Sequence, residues 1–144
     1  MKPTLFLRIA SVLTLIHCIL HTVGGVFGSP QHGAEEIAVI HAMKSHRFDF
    51  LGSMRSYWDF FFGYGLFITL VLLILAILFW QLSVFWTRNP ALVRSIIVPF
   101  SINFLVMAIV SWRYFFIAPA ITELLIAVCL GIAVMLAKPP VSIS

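Results

Sequence analysis

Long apolar runs without charged residues alternate with short polar segments along the chain. Four of these runs approach or exceed the roughly 20 residues that an α-helix needs to cross a bilayer. They predict transmembrane helices at about 5–27, 58–86, 95–116 and 120–137, with a loop at about 28–56. Pro119 marks the turn between the last two helices, and Pro139-Pro140 ends the fourth. The predicted fold is an all-α integral membrane protein, a four-helix transmembrane bundle that forms a single domain over residues 1–144.

The 28–56 loop is the one sizeable segment outside these predicted helices. It opens with Gly28-Ser29-Pro30, which breaks a helix, and it continues with Glu35-Glu36, which favour a new helix start. We predict a short surface helix from Ala34 to about Phe50, which would cover the non-cytoplasmic mouth of the bundle. The side chains expected to dip into lipid are Ile37, Ile40, Phe48 and Leu51.

Composition supports this membrane assignment. The chain is 62% hydrophobic and 10% charged, whereas soluble domains are about 45 to 50% apolar and about 25% charged. A soluble fold and intrinsic disorder are therefore both excluded, and the lipid bilayer is the first expected partner. The net charge of +4 is spread without a basic run, so we expect no nucleic-acid partner. Cys18 and Cys129 lie in apolar segments, where thiols usually behave as small buried hydrophobes.

The basic residues indicate an orientation. Four helices place both termini on the same side, and we expect the side richer in Lys and Arg to be cytoplasmic. That side holds Lys2, Arg8, Arg88, Arg94 and Lys138, against Lys44, Arg47, Arg55 and Arg113 on the other. We therefore predict a multi-pass protein with both termini in the cytoplasm.

All five acidic residues and all five histidines belong to the predicted non-cytoplasmic half. Ionisable groups inside a membrane normally face the helix bundle, form pairs or line a wet cavity. Two interpretations stay open, a structural ion-pair cluster that fixes the order of the helices and a cluster that also lines a ligand or ion site. The candidate ligand-binding residues are His17, His21, Tyr57, Trp58, Asp59, Tyr64, Trp112, Arg113, Tyr114 and Glu123.

The first helix carries a polar stripe at alternating steps of three and four residues, which predicts an inward-facing surface. It consists of Ser11, Thr14, Cys18, His21 and Gly25, with His17 beside it. His17 and His21 have the i, i+4 spacing that allows two imidazoles to bind one metal ion. Further ligands would have to come from His32, His41, His46, Asp59 or Glu123. The alternative is that both histidines bond to neighbouring helices.

No nucleophile with a base and an orienting group can be identified, and no phosphate-binding loop is present in the sequence. We therefore favour a non-enzymatic membrane protein that accommodates a small amphiphile, a lipid or a quinone, near the non-cytoplasmic leaflet. Two alternatives are an accessory subunit of a larger membrane complex and a histidine-based metal or redox site. The ligand, the cofactor and the oligomeric state, including a homo-oligomer, stay open.

Three strings, SYWDFFFGYG (56–65), SWRYFFIAP (111–119) and HTVGG (21–25), resemble a family of bacterial inner-membrane proteins. The resemblance spans nearly the whole chain, and members of the family have about this length and four predicted helices. It implies a location in a bacterial inner membrane and carries no activity with it. It also singles out His21, Asp59 and Arg113 as positions to test.

Overall fold

A computed structural model describes residues 2–136. Four helices within this part of the chain are long and apolar enough to cross a membrane, Pro3–Val26, Tyr57–Phe85, Pro90–Tyr114 and Ile117–Met135. The predicted four spans and the all-α class are therefore confirmed, and the protein is an integral membrane protein. Lys138, Pro139-Pro140 and the predicted helix end at Ala137 lie outside the described residues.

The first span consists of two kinds of helix. Helix α1 runs over Pro3–Leu20, and a π-helical segment continues it over His21–Val26. In a π-helix each backbone N–H bonds one residue further back than in an α-helix, and such turns are frequent at functional sites. The hydropathy of this span does not indicate where the α-helix changes to a π-helix.

The other three spans are α-helices, which we number α3 (Tyr57–Phe85), α4 (Pro90–Tyr114) and α5 (Ile117–Met135). Helix α4 begins earlier than predicted because Asn89 accepts a hydrogen bond from Leu92 N and Pro90 occupies the first turn. Pro119 lies in the first turn of α5, where its missing N–H costs no internal hydrogen bond.

The loop before α3 departs from the prediction. Helix α2 covers Ala34–Ser45 and contains no buried residue. Two antiparallel strands follow it, β1 (Arg47–Phe50) and β2 (Ser53–Ser56). The surface helix is thus present, but its predicted extension to Phe50 is wrong. The reason is the turn at Leu51-Gly52, where both residues have positive φ and allow a two-residue hairpin.

The chain divides into two compact units, Met1–His17 with Leu72–Ser144, here the first unit, and Cys18–Val71, the second unit. The first unit holds a hydrophobic core drawn from α1, α3, α4 and α5. In this core the Phe79 ring lies 5.6 Å from the Phe100 ring and 6.0 Å from the Phe104 ring. Ser11 Oγ also donates to the Ala76 carbonyl over 2.6 Å, which joins α1 to α3 through a buried hydrogen bond.

Candidate functional site

In the second unit, polar side chains of the first span bond to the backbone of α3. His21 Nε2 lies 3.0 Å from the Gly65 carbonyl oxygen, and Cys18 Sγ donates to the Thr69 carbonyl over 3.4 Å. Thr22 and Thr69 share a hydroxyl hydrogen bond of 3.0 Å. Ser11, Thr14, His17 and Cys18 are buried, so the predicted inward stripe is confirmed at these positions, whereas Gly25 is exposed.

Glycine permits the close approach of these two segments. A Cβ atom on Gly65 would lie 2.9 Å from a Val26 methyl carbon, which is closer than atoms of this kind pack. The π-helical segment is therefore held against α3 by the His21 hydrogen bond and by the packing of the Val26 side chain on Gly65. Its own glycines, Gly24 and Gly25, present backbone without side chains on the surface next to α2.

A half-open cavity of about 640 Å³ lies over this bare backbone, entirely within the second unit. Its volume falls in the range of roughly 300 to 1,000 Å³ that is typical of small-molecule sites. The lining is divided into a polar end and an apolar wall. The residues that line it are Gly24, Gly25, Gly28, Ser29, Pro30, Gln31, His32, Glu36, Val39, Ile40, Met43, Trp58 and Phe61.

Glu36 organises the polar end. Its Oε2 accepts hydrogen bonds of 2.7 Å from the backbone N–H groups of both Gln31 and His32. His32 Nδ1 lies 3.4 Å from the same oxygen. The backbone hydrogen bond from His32 is the main cause that lowers the pKa of Glu36 below its ordinary value. The cavity therefore has an ionised carboxylate beside an imidazole at one end.

Aliphatic and aromatic side chains form the apolar wall, which continues from Glu36 along the same face of α2. Val39, Ile40 and Met43 come from α2, and Trp58 and Phe61 come from the first turns of α3. The Trp58 and Phe61 rings lie 5.6 Å apart. Lys44 Nζ lies 4.4 Å from the centre of the Trp58 ring, a cation–π distance that fixes the ring and holds a positive charge near the wall. This arrangement suits a ligand with an apolar body and a polar head.

A separate polar pair is buried in the first unit. His17 Nε2 on α1 lies 3.8 Å from Glu123 Oε1 on α5. Glu123 is 2% exposed, and its Oε2 has no hydrogen-bond partner within residues 2–136. The hydroxyl of buried Ser111 on α4 interacts with the same carboxyl group. Three helices of the first unit thus meet at one ionisable pair.

The remaining predicted residues of the second unit lie around the start of α3. Asp59 Oδ2 accepts from Ser56 N over 2.8 Å while Ser56 Oγ accepts from Asp59 N over 3.2 Å, which is a capping box. Tyr57 packs its ring 4.9 Å from that of Phe48. Tyr64 is exposed. Of the predicted site residues, Trp58 alone lines the cavity.

At the end of α4, in the first unit, Trp112 and Tyr114 are exposed. The Arg113 guanidinium carbon lies 5.3 Å from the centre of the Tyr114 ring. This exposed arrangement is typical of aromatic and basic residues at the level of the lipid headgroups.

Within residues 2–136 no three His, Cys, Asp or Glu side chains form a group that could hold a metal ion. The histidines of the first span have other contacts, His17 with Glu123 and His21 with the Gly65 carbonyl. These contacts correspond to the alternative in which both histidines bond to neighbouring helices.

Sequence reasoning missed most of the cavity lining. The signal was present in Gly24-Gly25 and Gly28-Ser29-Pro30, where a membrane helix ends in residues with little or no side chain. A wall without side chains leaves room for a ligand, but hydropathy does not report such room. His32 and Glu36 carried a second signal, because their i, i+4 spacing brings them together at the helix start.

Comparisons of this chain with models of protein families, with curated protein sequences and with solved structures found no match.

Proposed function

We propose that this membrane protein binds a small amphiphile, a lipid or a quinone, in the cavity of its second unit. The observation that carries the proposal is the division of that cavity into an apolar wall and a polar end. The wall formed by Met43, Trp58 and Phe61 receives the apolar body of the ligand. The carboxylate of Glu36, the His32 imidazole and the polar Gln31 receive its head.

The size of the cavity limits the ligand. A volume of about 640 Å³ accommodates a molecule of drug-like size. That space suits a quinone ring with a short length of its chain, or the headgroup region of a lipid whose acyl chains remain in the bilayer. No reacting group is required for this role, and we propose a binding function without catalysis.

We further propose that the protein lies in a bacterial cytoplasmic membrane with both termini in the cytoplasm. The basic residues support this orientation by five to four, since Lys2, Arg8, Arg88, Arg94 and Lys138 belong to the side of the termini. The cavity then opens at the non-cytoplasmic surface. The resemblance of the three sequence strings to bacterial inner-membrane proteins supports the same location.

Filling the cavity tests the binding function. Gly24 lines it, and a Cβ at Gly24 would meet no atom within 4 Å, so Gly24→Leu adds its side chain to the lining at a point with open space. We expect native mass spectrometry of the wild-type protein, extracted gently from its own membrane, to show a bound mass of lipid or quinone size. The Gly24→Leu variant should lose most of that mass.

Gly63→Leu is the matched control, because Gly63 also has open space around it and does not line the cavity. This variant should retain the ligand at the wild-type occupancy. Equal retention by both variants would contradict the proposal. The accurate mass distinguishes a quinone from a lipid.

An accessory subunit is the second candidate function. The span Tyr57–Phe85 has 17% of its most apolar window buried, compared with 33% for Pro3–Val26 and for Ile117–Met135. Its large exposed apolar face could contact another membrane protein instead of lipid. In the same mass spectrum, a co-purifying protein with no bound small molecule would favour this function.

A further inference from the structure

The β-hairpin of the second unit carries an unusual residue at its tip. The last strand pair is Phe50 with Ser53, so Leu51-Gly52 form a two-residue turn, with φ of 52° and 82°. Turns of this kind favour Asn-Gly, because at positive φ a Cβ atom lies too close to the following carbonyl oxygen, and Asn offsets this strain with a local hydrogen bond. This chain has leucine instead of asparagine at position 51, and Leu51 is 94% exposed. An exposed apolar side chain in a strained position indicates a surface that contacts something apolar.

Ring contacts give the direction in which the hairpin points. His46, before β1, stacks on Tyr57 at 6.3 Å, and Phe48 contacts Tyr57 at 4.9 Å and Phe60 at 6.2 Å. Phe50, next to the tip, contacts Phe60 at 5.3 Å. Moving along β1 toward the tip therefore moves along α3 away from its start.

The direction of α3 sets the depth of the tip. Phe60 lies three residues beyond Tyr57, which is about 4.5 Å further along the helix axis. Leu51 follows Phe50 by one residue, which adds about 3 Å along an extended strand. The tip therefore lies further than the base of the hairpin along α3, in the direction in which this apolar helix would cross a bilayer.

Charged side chains lie at the base and middle of the hairpin, where Asp49 pairs with Met54, and the four residues of the tip, Phe50 to Ser53, carry no charge. Arg47 and Arg55 lie toward the base, and both donate to the Met54 carbonyl, at 3.1 and 3.0 Å. Leu51, Phe50 and Met54 expose apolar surface nearer the tip. Basic residues at headgroup level and apolar residues below them are the pattern of a segment inserted at a membrane interface.

We infer that the 47–56 hairpin is a membrane anchor, whose Leu51 tip inserts at the boundary between headgroups and acyl chains of the leaflet where α3 begins. Its partner is the lipid of that leaflet, with the two arginines near anionic headgroups. The shallow depth keeps the open edges of the two strands within reach of water and headgroups, as unpaired backbone groups require. This inference is independent of the ligand proposed for the cavity.

Spin labels at the tip and at the base test the insertion. Single cysteines replace Leu51 or Arg47 in a Cys18→Ser, Cys129→Ala background, and the labelled full-length chain is placed in vesicles of phosphatidylcholine and phosphatidylglycerol. Collisions with oxygen report acyl surroundings, and collisions with a water-soluble nickel complex report aqueous ones. We expect the oxygen-to-nickel ratio to be several-fold higher at Leu51→Cys than at Arg47→Cys.

Leu70→Cys provides the lipid reference, since Leu70 is exposed on α3 well inside the span. The label at position 51 should give a ratio between those at positions 47 and 70. A ratio at position 51 equal to or below that at position 47 places the tip in water and overturns the inference. Low accessibility to both reagents at position 51 also overturns it, because a second copy or another protein would then cover the tip.

Discussion

Glu123 is a buried carboxyl group in a membrane span, and it has one unpartnered oxygen within the described chain. Burial of a carboxyl group is costly, and pairing with a second ionisable group offsets part of the cost. His17 supplies the pairing, 3.8 Å away on another helix. The pair therefore couples the positions of α1 and α5.

We expect this coupling to be measurable in a double-mutant cycle of His17→Ala and Glu123→Ala. The double variant should be more stable than the sum of the single effects predicts, with an interaction energy of about 0.5 to 2 kcal/mol, the range for polar pairs in membrane proteins. Unfolding in mixed detergent micelles gives the free energies.

The control cycle combines His17→Ala with Thr122→Ala, because Thr122 is adjacent to Glu123 but bonds to its own helix at the Ala118 carbonyl. The changes in the free energy of unfolding caused by His17→Ala and Thr122→Ala should be additive. A coupling in the Glu123 cycle no larger than that of the control would show that the pair contributes nothing to the order of the helices.

Glu36 gives a prediction about pH. Its pKa is lowered, chiefly by the backbone hydrogen bond from His32. A lowered carboxyl pKa stabilises the folded loop at pH values above the unfolded pKa of about 4.3, and the stabilisation disappears as the pH falls through the folded value. The amide resonances of Gln31 and His32 should therefore shift together in an NMR titration, with a midpoint below about 4.3.

The titration of both amides should vanish in Glu36→Gln, which keeps the shape of the side chain without its charge. If these amides titrate unchanged in the variant, another group supplies the negative charge at the polar end of the cavity.

At the scale of the element, caps determine where the helices begin. Ser56 ends β2 and also caps α3, through the reciprocal hydrogen bonds with Asp59. Because Ser56 is 3% exposed, water cannot replace its hydroxyl when the side chain is removed. The hairpin and the third span therefore depend on the same side chain.

Ser56→Ala should lower the free energy of unfolding by about 1 kcal/mol, the typical value of a lost helix cap. Ser53→Ala at the other end of β2 is the control, since no side-chain hydrogen bond of Ser53 is present in the described chain, and it should cost less. Circular dichroism during unfolding in mixed micelles measures both. Equal losses would mean that strand pairing, and not the cap, is the origin of the effect.

Helix boundaries were also the weaker part of the sequence prediction. Charge-free runs located all four spans because the bilayer requires about 20 apolar residues at each crossing. They placed the start of α4 too late, because Arg94 interrupts the run while Asn89 and Pro90 determine the actual start. The sequence analysis missed the hairpin because the hairpin depends on a local turn. At this turn Leu51 has a positive φ, and the chain reverses instead of continuing the predicted helix.

At the scale of the whole molecule, the sequence placed the acidic residues and histidines in one predicted half but could not say which side chains meet. His17 and Glu123 lie more than 100 residues apart in the sequence, and only the packing of α1 with α5 brings them together. The cavity was still harder to predict from the sequence. Glycine backbone forms part of its lining, and hydrophobic patterns report only side chains. Trp58 belongs to it because α3 begins there, at a position where aromatic residues also prefer the interface.

The π-helical segment His21–Val26 makes this site sensitive to chain length as well as to side-chain identity. Each hydrogen bond of a π-helix encloses one more residue than a hydrogen bond of an α-helix does. Deleting a single residue here would allow the stretch to close as ordinary α-helix, so five residues would span the turns that six span now, and one residue fewer would line the cavity. The packing of Gly28 on Gly24, whose carbonyl oxygen lies where a Cβ on Gly28 would be, depends on this spacing. Insertions and deletions in these six residues, as well as substitutions of Gly24, are thus changes that would remodel the floor of the cavity.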